Sequence, residues 1–192
     1  PNHSQSVILN GKTNIKADGH AIIGMRIIDH GSGSNNYQIS LIANDDVTMN
    51  LKGRSNVYGM LNGANYGFGS PDSTYSQGKI EINGALNLTV YSETRAGGVV
   101  AGSWFGNTGA RDTTGNIKFG RAGSHNVIDI SGGYRDESDP VAQDNKMVGI
   151  LGYSTMLSQP AVIKAFGSTT ISVNTKKSVA QTDINRGTFG VY

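Results

Sequence analysis

A chain of 192 residues is long enough for one ordinary domain, and 36% apolar content beside 27 glycines suits a narrow core with many turns. Sixteen basic residues against fourteen acidic ones leave a net charge of +2, too weak for a general nucleic-acid footprint but compatible with a local patch. The absence of cysteine excludes disulfides, thiolate catalysis and cysteine-bound zinc together.

Short alternating apolar runs then follow one another in threes. The first triplet is Val7-Ile8-Leu9, the weaker Asn14-Ile15-Lys16, and Ile23-Gly24-Met25. Next come Ile39-Ser40-Leu41, Met49-Asn50-Leu51 and Tyr58-Gly59-Met60. The third set is Ile80-Glu81-Ile82, Leu88-Thr89-Val90 and Val100-Ala101-Gly102, and the fourth is Ile117-Lys118-Phe119, Ile128-Asp129-Ile130 and Val148-Gly149-Ile150. Ile163-Lys164-Ala165, Ile171-Ser172-Val173 and Phe189-Gly190-Val191 complete a fifth. The dense run from Ala21 to Ile28 also fits a buried helical segment; elsewhere the apolar period is two, which speaks against long helices.

First members of the triplets lie 32, 41, 37 and 46 residues apart, so the strands recur regularly while the connections vary. No single set offers enough inward side chains to bury a core, whereas stacked sets line like positions into continuous apolar columns. The pattern predicts an all-β, right-handed parallel β-helix over residues 1–192, about five turns of three short strands each. At roughly 4.8 Å per turn such a helix is only about 25 Å long.

Alternation assigns the faces, because residues two apart share a side. Ser40, Glu81, Lys118 and Lys164 are expected outward on the first sheet, with Ile39, Ile80, Ile117 and Ile163 stacked inward. Asn50, Thr89, Asp129 and Ser172 form a polar ladder on the second. The third strand is apolar on both faces, which in parallel sheets means covered on both. Its column Gly24, Gly59, Ala101, Gly149 and Gly190 is then expected to form a shallow groove. Loops at 62–78, 104–115 and 153–159, carrying Tyr66, Phe68, Tyr75, Trp104, Phe105 and Tyr153, either pack over it or leave it open to a ligand.

Several local motifs dissolve on inspection. Asn10-Gly11-Lys12-Thr13 ends like a phosphate loop but has Ser6 where the earlier glycine belongs, so it reads as a turn. Gly67-Phe68-Gly69 and Gly31-Ser32-Gly33 lack a strand-to-helix setting. His3, His20, His30 and His125 have no metal-ligand spacing, and Asp136-Glu137-Ser138-Asp139 lacks the calcium-loop pattern, so no metal or cofactor is assigned. Asp45 and Asp46 read as a turn pair whose side chains bond nearby backbone. Lys118 and Lys164, with Lys16 and Lys79 as candidate neighbours, are either a solvated charged face or a strip for an anionic polymer. A glycosidase needs two carboxylates about 5 to 9.5 Å apart, and Glu81 and Asp129 fall on different sheets and turns. Catalysis is therefore not expected.

Phrases such as Ile80-Glu81-Ile82-Asn83-Gly84-Ala85-Leu86-Asn87-Leu88-Thr89-Val90 and Thr169-Thr170-Ile171-Ser172-Val173, rich in Asn, Ser, Thr and Gly, resemble the repeats of bacterial autotransporter passenger domains. The resemblance is one of style and runs over essentially the whole chain. It implies a β-helix displayed on the surface of a diderm bacterium and anchored by an outer-membrane barrel absent from this sequence. Serine-protease passengers carry a Gly-Asp-Ser-Gly motif, which this sequence lacks, and loops of unequal size depart from a smooth self-pairing face. No apolar run is long enough to span a membrane, and Pro1-Asn2-His3-Ser4-Gln5 is not a signal peptide, so the chain reads as a soluble fragment of a longer surface protein.

The functional expectation is an adhesin fragment that binds host matrix protein, glycan or another bacterium in adhesion or biofilm formation, with self-association and anionic polymers such as glycosaminoglycan or extracellular DNA as further partners. Tyr66, Phe68, Tyr75, Trp104 and Phe105 are its candidate contacts, with Lys118 and Lys164 as a basic strip. Two alternatives belong to other classes: a carbohydrate-active β-helix enzyme, marked by a tight acidic cluster, and a structural stalk, marked by short uniform loops.

Overall fold

The computed structural model describes residues 4–28, 37–63, 76–102, 114–133, 147–152, 154, 160–175 and 188–191. Within them the chain forms strands that fall into three five-stranded sheets, numbered here in chain order. The first sheet contains β1 (Ser4–Leu9), β4 (Tyr37–Ala43), β7 (Ser76–Ile82), β10 (Thr114–Phe119) and β13 (Ile163–Ala165). The second contains β2 (Thr13–Gly19), β5 (Val47–Gly53), β8 (Leu86–Ser92), β11 (His125–Gly132) and β14 (Ser168–Thr175). The third contains β3 (Ile22–Ile28), β6 (Val57–Gly63), β9 (Ala96–Gly102), β12 (Met147–Gly152) and β15 (Thr188–Val191). Every neighbouring pair is parallel, and each strand pairs with the one three places later. This is a parallel β-helix of five turns with three strands per turn. The ambiguous run near Ala21 is β3, not helix. Among the described residues no helix is long and apolar enough to cross a membrane.

Register follows the apolar columns. In the second sheet Ile15, Met49, Leu88, Ile128 and Ile171 stack inward, and Lys16, Asn50, Thr89, Asp129 and Ser172 stack beside them on the outer face. In the first sheet Val7, Leu41, Ile80, Ile117 and Ile163 form the inward column. Ile39 is buried but pairs with Gly78, one inward position earlier, so it does not share the column of Ile80 as expected from sequence. Alternation cannot detect such a slip, because moving a strand by two residues leaves every side chain on its original face. The consequence is that Ser40 neighbours Lys79, and Ile42, not Ser40, neighbours Glu81.

The third sheet corrects the expected groove. A Cβ placed on Gly24 would strike the Gly59 carbonyl, one on Gly59 the Gly98 carbonyl, one on Gly98 the Gly149 carbonyl, and one on Gly149 the Gly190 carbonyl. The column is therefore Gly24, Gly59, Gly98, Gly149 and Gly190, with Gly98 where Ala101 was expected. It faces inward: the same Cβ atoms would meet Met49 and Leu51, Leu88, Ile128 and Ile130, and Ile171 from the second sheet. Glycine here makes room for long side chains arriving from the opposite wall of a narrow core. No ligand groove runs along it.

The outer face of the third sheet is buried too. Tyr58, Leu61, Val100, Val148 and Leu151 form an apolar cluster separate from the interior one. Tyr58 lies over Gly97 of the next turn, whose missing side chain leaves space for the ring. Most of the loops expected to cover this face lie outside the described residues.

Two buried asparagines tie the turns where the chain changes sheet. Asn62, at the end of β6, donates from Nδ2 to the carbonyls of Ile39 at 3.1 Å and Lys79 at 2.6 Å. Asn126 accepts from the Leu86 N–H at 3.1 Å and donates to the carbonyls of Phe166 and Ser168 and to Thr169 Oγ1. One amide thus links the third, fourth and fifth turns.

Candidate functional site: the lysine face

On the outer face of the first sheet two columns run side by side. One reads Ser6, Ser40, Lys79, Asn116 and the other Ile8, Ile42, Glu81, Lys118, Lys164. The charged members belong to turns three to five. Lys79 and Glu81 are two apart on β7 and so share a face; their side chains meet at 2.6 Å. Lys118, opposite Glu81 on β10, reaches the other carboxylate oxygen at 2.8 Å and donates to Asn83 Oδ1 at 3.3 Å. Its ammonium also stands 5.9 Å from the centroid of the Phe166 ring.

The two ammoniums, Lys118 first and Lys79 second, hold the Glu81 carboxyl below the ordinary glutamate range against an opposing effect of burial. A carboxylate so held is the reverse of a general acid, which needs a raised pKa. Lys164 is the register partner of Lys118 on the far side from Glu81, and no carboxylate among the described residues pairs with it. Two ammoniums therefore meet on the Glu81 carboxylate, and a third, Lys164, stands one strand further along.

The corners between first and second sheets add an asparagine ladder and an ionic clamp. Asn44 donates to Asn10 Oδ1 at 2.8 Å, and Asn83 to Asn44 Oδ1 at 3.2 Å. Asp45 accepts from the Asp46 N–H, as expected of a turn pair, while Asp46 reaches onward to the Ala85 N–H at 2.9 Å. Lys12 and Arg121 approach the same Asp46 carboxylate at 3.6 and 3.7 Å. The Ala85 N–H chiefly, with Lys12 and Arg121, keeps the Asp46 carboxyl below its ordinary value. Gly11 and Lys12 fall between β1 and β2, in a sheet-changing corner with no helix to form a phosphate loop.

Of the residues singled out in the sequence, Lys118 and Lys164 are brought together. Lys79 joins them; Lys16 does not, because it heads the outer ladder of the second sheet. Tyr66, Phe68, Tyr75, Trp104 and Phe105 lie outside the described residues. Phe166 and Asn116 were missed. Phe166 follows directly on a strand triplet and has 43% of its surface exposed, which no apolar pattern foretells. His125 Nδ1 lies 2.7 Å from Ser168 Oγ, and no group of three or more potential metal ligands converges among the described residues. Glu81 and Asp129 stand on different sheets, on the third and fourth turns.

The placement of the long connections completes the geometry. Passages from first to second sheet take two to five residues throughout, at 10–12, 44–46, 83–85, 120–124 and 166–167. Every connection of eight residues or more begins or ends on the third sheet: 29–36, 64–75, 103–113, 133–146, 153–162 and 176–187. Comparison with family models, curated proteins and solved structures returned no match.

Proposed function

We propose that this chain is a recognition scaffold on a cell surface, an adhesin fragment of the autotransporter-passenger kind, exported by a diderm bacterium and held by a barrel elsewhere in the protein. The observation that carries the reading is the segregation of the connections. Long, unequal segments are confined to the edges of the third sheet, while the opposite corner stays short in all five turns. A stalk has no need of such asymmetry, whereas a rigid frame that presents variable loops along one side suits binding. Tyr66, Phe68, Tyr75, Trp104 and Phe105 all belong to those segments or their borders. Aromatic side chains there supply large contact area at low entropic cost. The proposed partners are a host matrix protein, a glycan or another bacterial surface.

The test is adhesion of the purified chain to matrix-protein and glycan panels alongside its melting temperature. Trp104→Ala is expected to abolish adhesion at unchanged melting temperature. A lowered melting temperature would instead make Trp104 part of the cover over the third sheet. Unchanged adhesion by a stable variant carrying Trp104→Ala, Phe105→Ala, Lys118→Ala and Lys164→Ala would overturn the proposed site.

A further inference from the structure

We infer that the outer face of the first sheet binds an acidic polysaccharide, and that Glu81 occupies part of the strip as an internal stand-in for the ligand's anionic group. The inference rests on the surface-recognition reading above and adds a ligand class and a second location, away from the long loops.

Charge is the first ground. Lys79, Lys118 and Lys164 share the strip with one carboxylate, Glu81, which pairs with the first two and lies two strands from the third. Lys118 and Lys164 are direct partners in a parallel pair, so their stems rise about 4.8 Å apart. Like charges opposite one another repel. A sulfate or carboxylate seated between them would relieve that repulsion in the same way that Glu81 serves Lys79 and Lys118. The strip thus contains one filled anion position and, one strand further along, Lys164, a cation that no carboxylate among the described residues pairs with, beside a Lys118 already shared with Glu81.

The surroundings select the kind of anion. Phe166 exposes its ring beside Lys118, an apolar platform on which the C–H face of a sugar can rest. Asn116 uses its Oδ1 to accept from the Val162 N–H, which leaves its amide N–H groups available to donate to a sugar hydroxyl. One ring and the Asn116 amide beside the lysines suit alternating sugar and charge, while the Asn83 amide is engaged by Lys118 and Asn44. Nucleic acid is served less well: a single-stranded binder stacks successive bases on several rings, and a duplex binder needs many cations across a broad face. Three lysines in a chain of net charge +2 do not make one.

The test is isothermal titration of the full chain with heparin, polygalacturonate, neutral dextran and a DNA oligonucleotide, at low and at physiological salt. Heparin or polygalacturonate should bind, dextran should not, and salt should weaken the affinity. Lys164→Ala should lower affinity about tenfold, as loss of one charge-assisted contact implies. Glu81→Gln should raise it, because two ammoniums are released to the ligand, and no purely structural role for Glu81 produces a gain. Failure of Glu81→Gln to strengthen binding, or tighter binding of DNA than of either polysaccharide, would overturn the inference. Adhesion that depends on Trp104 with no polysaccharide binding would remove the strip and leave the surface reading intact. Polysaccharide binding without any adhesion would do the opposite.

Discussion

Replacing Gly59 by alanine adds one methyl group at a place where the fold has no room for it. The new Cβ would stand 2.6 Å from the carbonyl oxygen of Gly98 and 3.1 Å from Leu88 Cδ1. Ordinary contact begins at 3.4 Å, so the backbone obstacle falls short by about 0.8 Å. Leu88 can rotate; the Gly98 carbonyl cannot, because it belongs to the neighbouring turn and is fixed by the ladder between β6 and β9. Overpacking of this kind costs about 1 to 3 kcal/mol. For a chain of this length that corresponds to a fall in melting temperature of about 2 to 12 °C. Gly11→Ala is the control, since a Cβ there meets nothing within 4 Å and the change should be neutral or slightly stabilising. Thermal and urea unfolding, followed by circular dichroism near 218 nm (roughly the strand minimum), measure both variants. Equal midpoints for Gly59→Ala and Gly11→Ala would refute the inward placement of the glycine column and return it to the surface.

Four further substitutions probe the packing and the charges. Ile82→Ala should lose about 2 to 5 kcal/mol in urea unfolding, because Ile82 is 1% exposed in the interior cluster, while Glu81→Ala next to it should be far milder; similar losses would contradict the assigned faces. Asn126→Ala removes the acceptor of the Leu86 N–H and one donor from each of two carbonyls, Phe166 and Ser168, so a loss above about 2 kcal/mol is expected, and retained wild-type stability would show that the amide is dispensable. The depressed Glu81 carboxyl favours the folded state above the ordinary glutamate value of 4.5, and this contribution disappears as pH falls through the lower folded-state value. Melting temperatures of Glu81→Gln and the parent from about pH 7 to about pH 3 should therefore converge at the acid end. A constant gap would dissociate the pKa shift from stability.

The period of the fold was open to reading because the second sheet is unambiguous: a large apolar residue, a polar one and another apolar one recur at Met49, Leu88, Ile128 and Ile171 with one shared register. Where the sequence offers two equivalent inward positions, as at Ile39 and Leu41, the pattern gives the face and leaves the column open. Ala96-Gly97-Gly98-Val99-Val100-Ala101-Gly102 is worse, because small and apolar residues mix at every offset. Its register is set by the carbonyl of Gly149 above and by Gly59 below, which a strand alone cannot reveal. Asn62 and Asn126 escaped notice for a related reason. Alternation assigns polar side chains to water, but corner carbonyls inside the helix require donors. At the lysine face the residues were visible and their pairing was not: Lys118 facing Glu81 depends on register across 37 residues of chain.

Hydrogen bonds that run between turns lie along the helix axis, so the direction in which load reaches the molecule decides how it yields. Among the described residues each outermost strand has one neighbour, so tension applied through β1 and β15 peels it away one bond after another, as in opening a zip. The same tension applied between side chains on the first and fifth turns would pull on all three ladders at once. A scaffold of this build gives way easily when drawn by its outermost strands and resists when gripped through its faces. The Asn126 amide, spanning three turns, acts as a rivet that delays peeling at the carboxyl-terminal end.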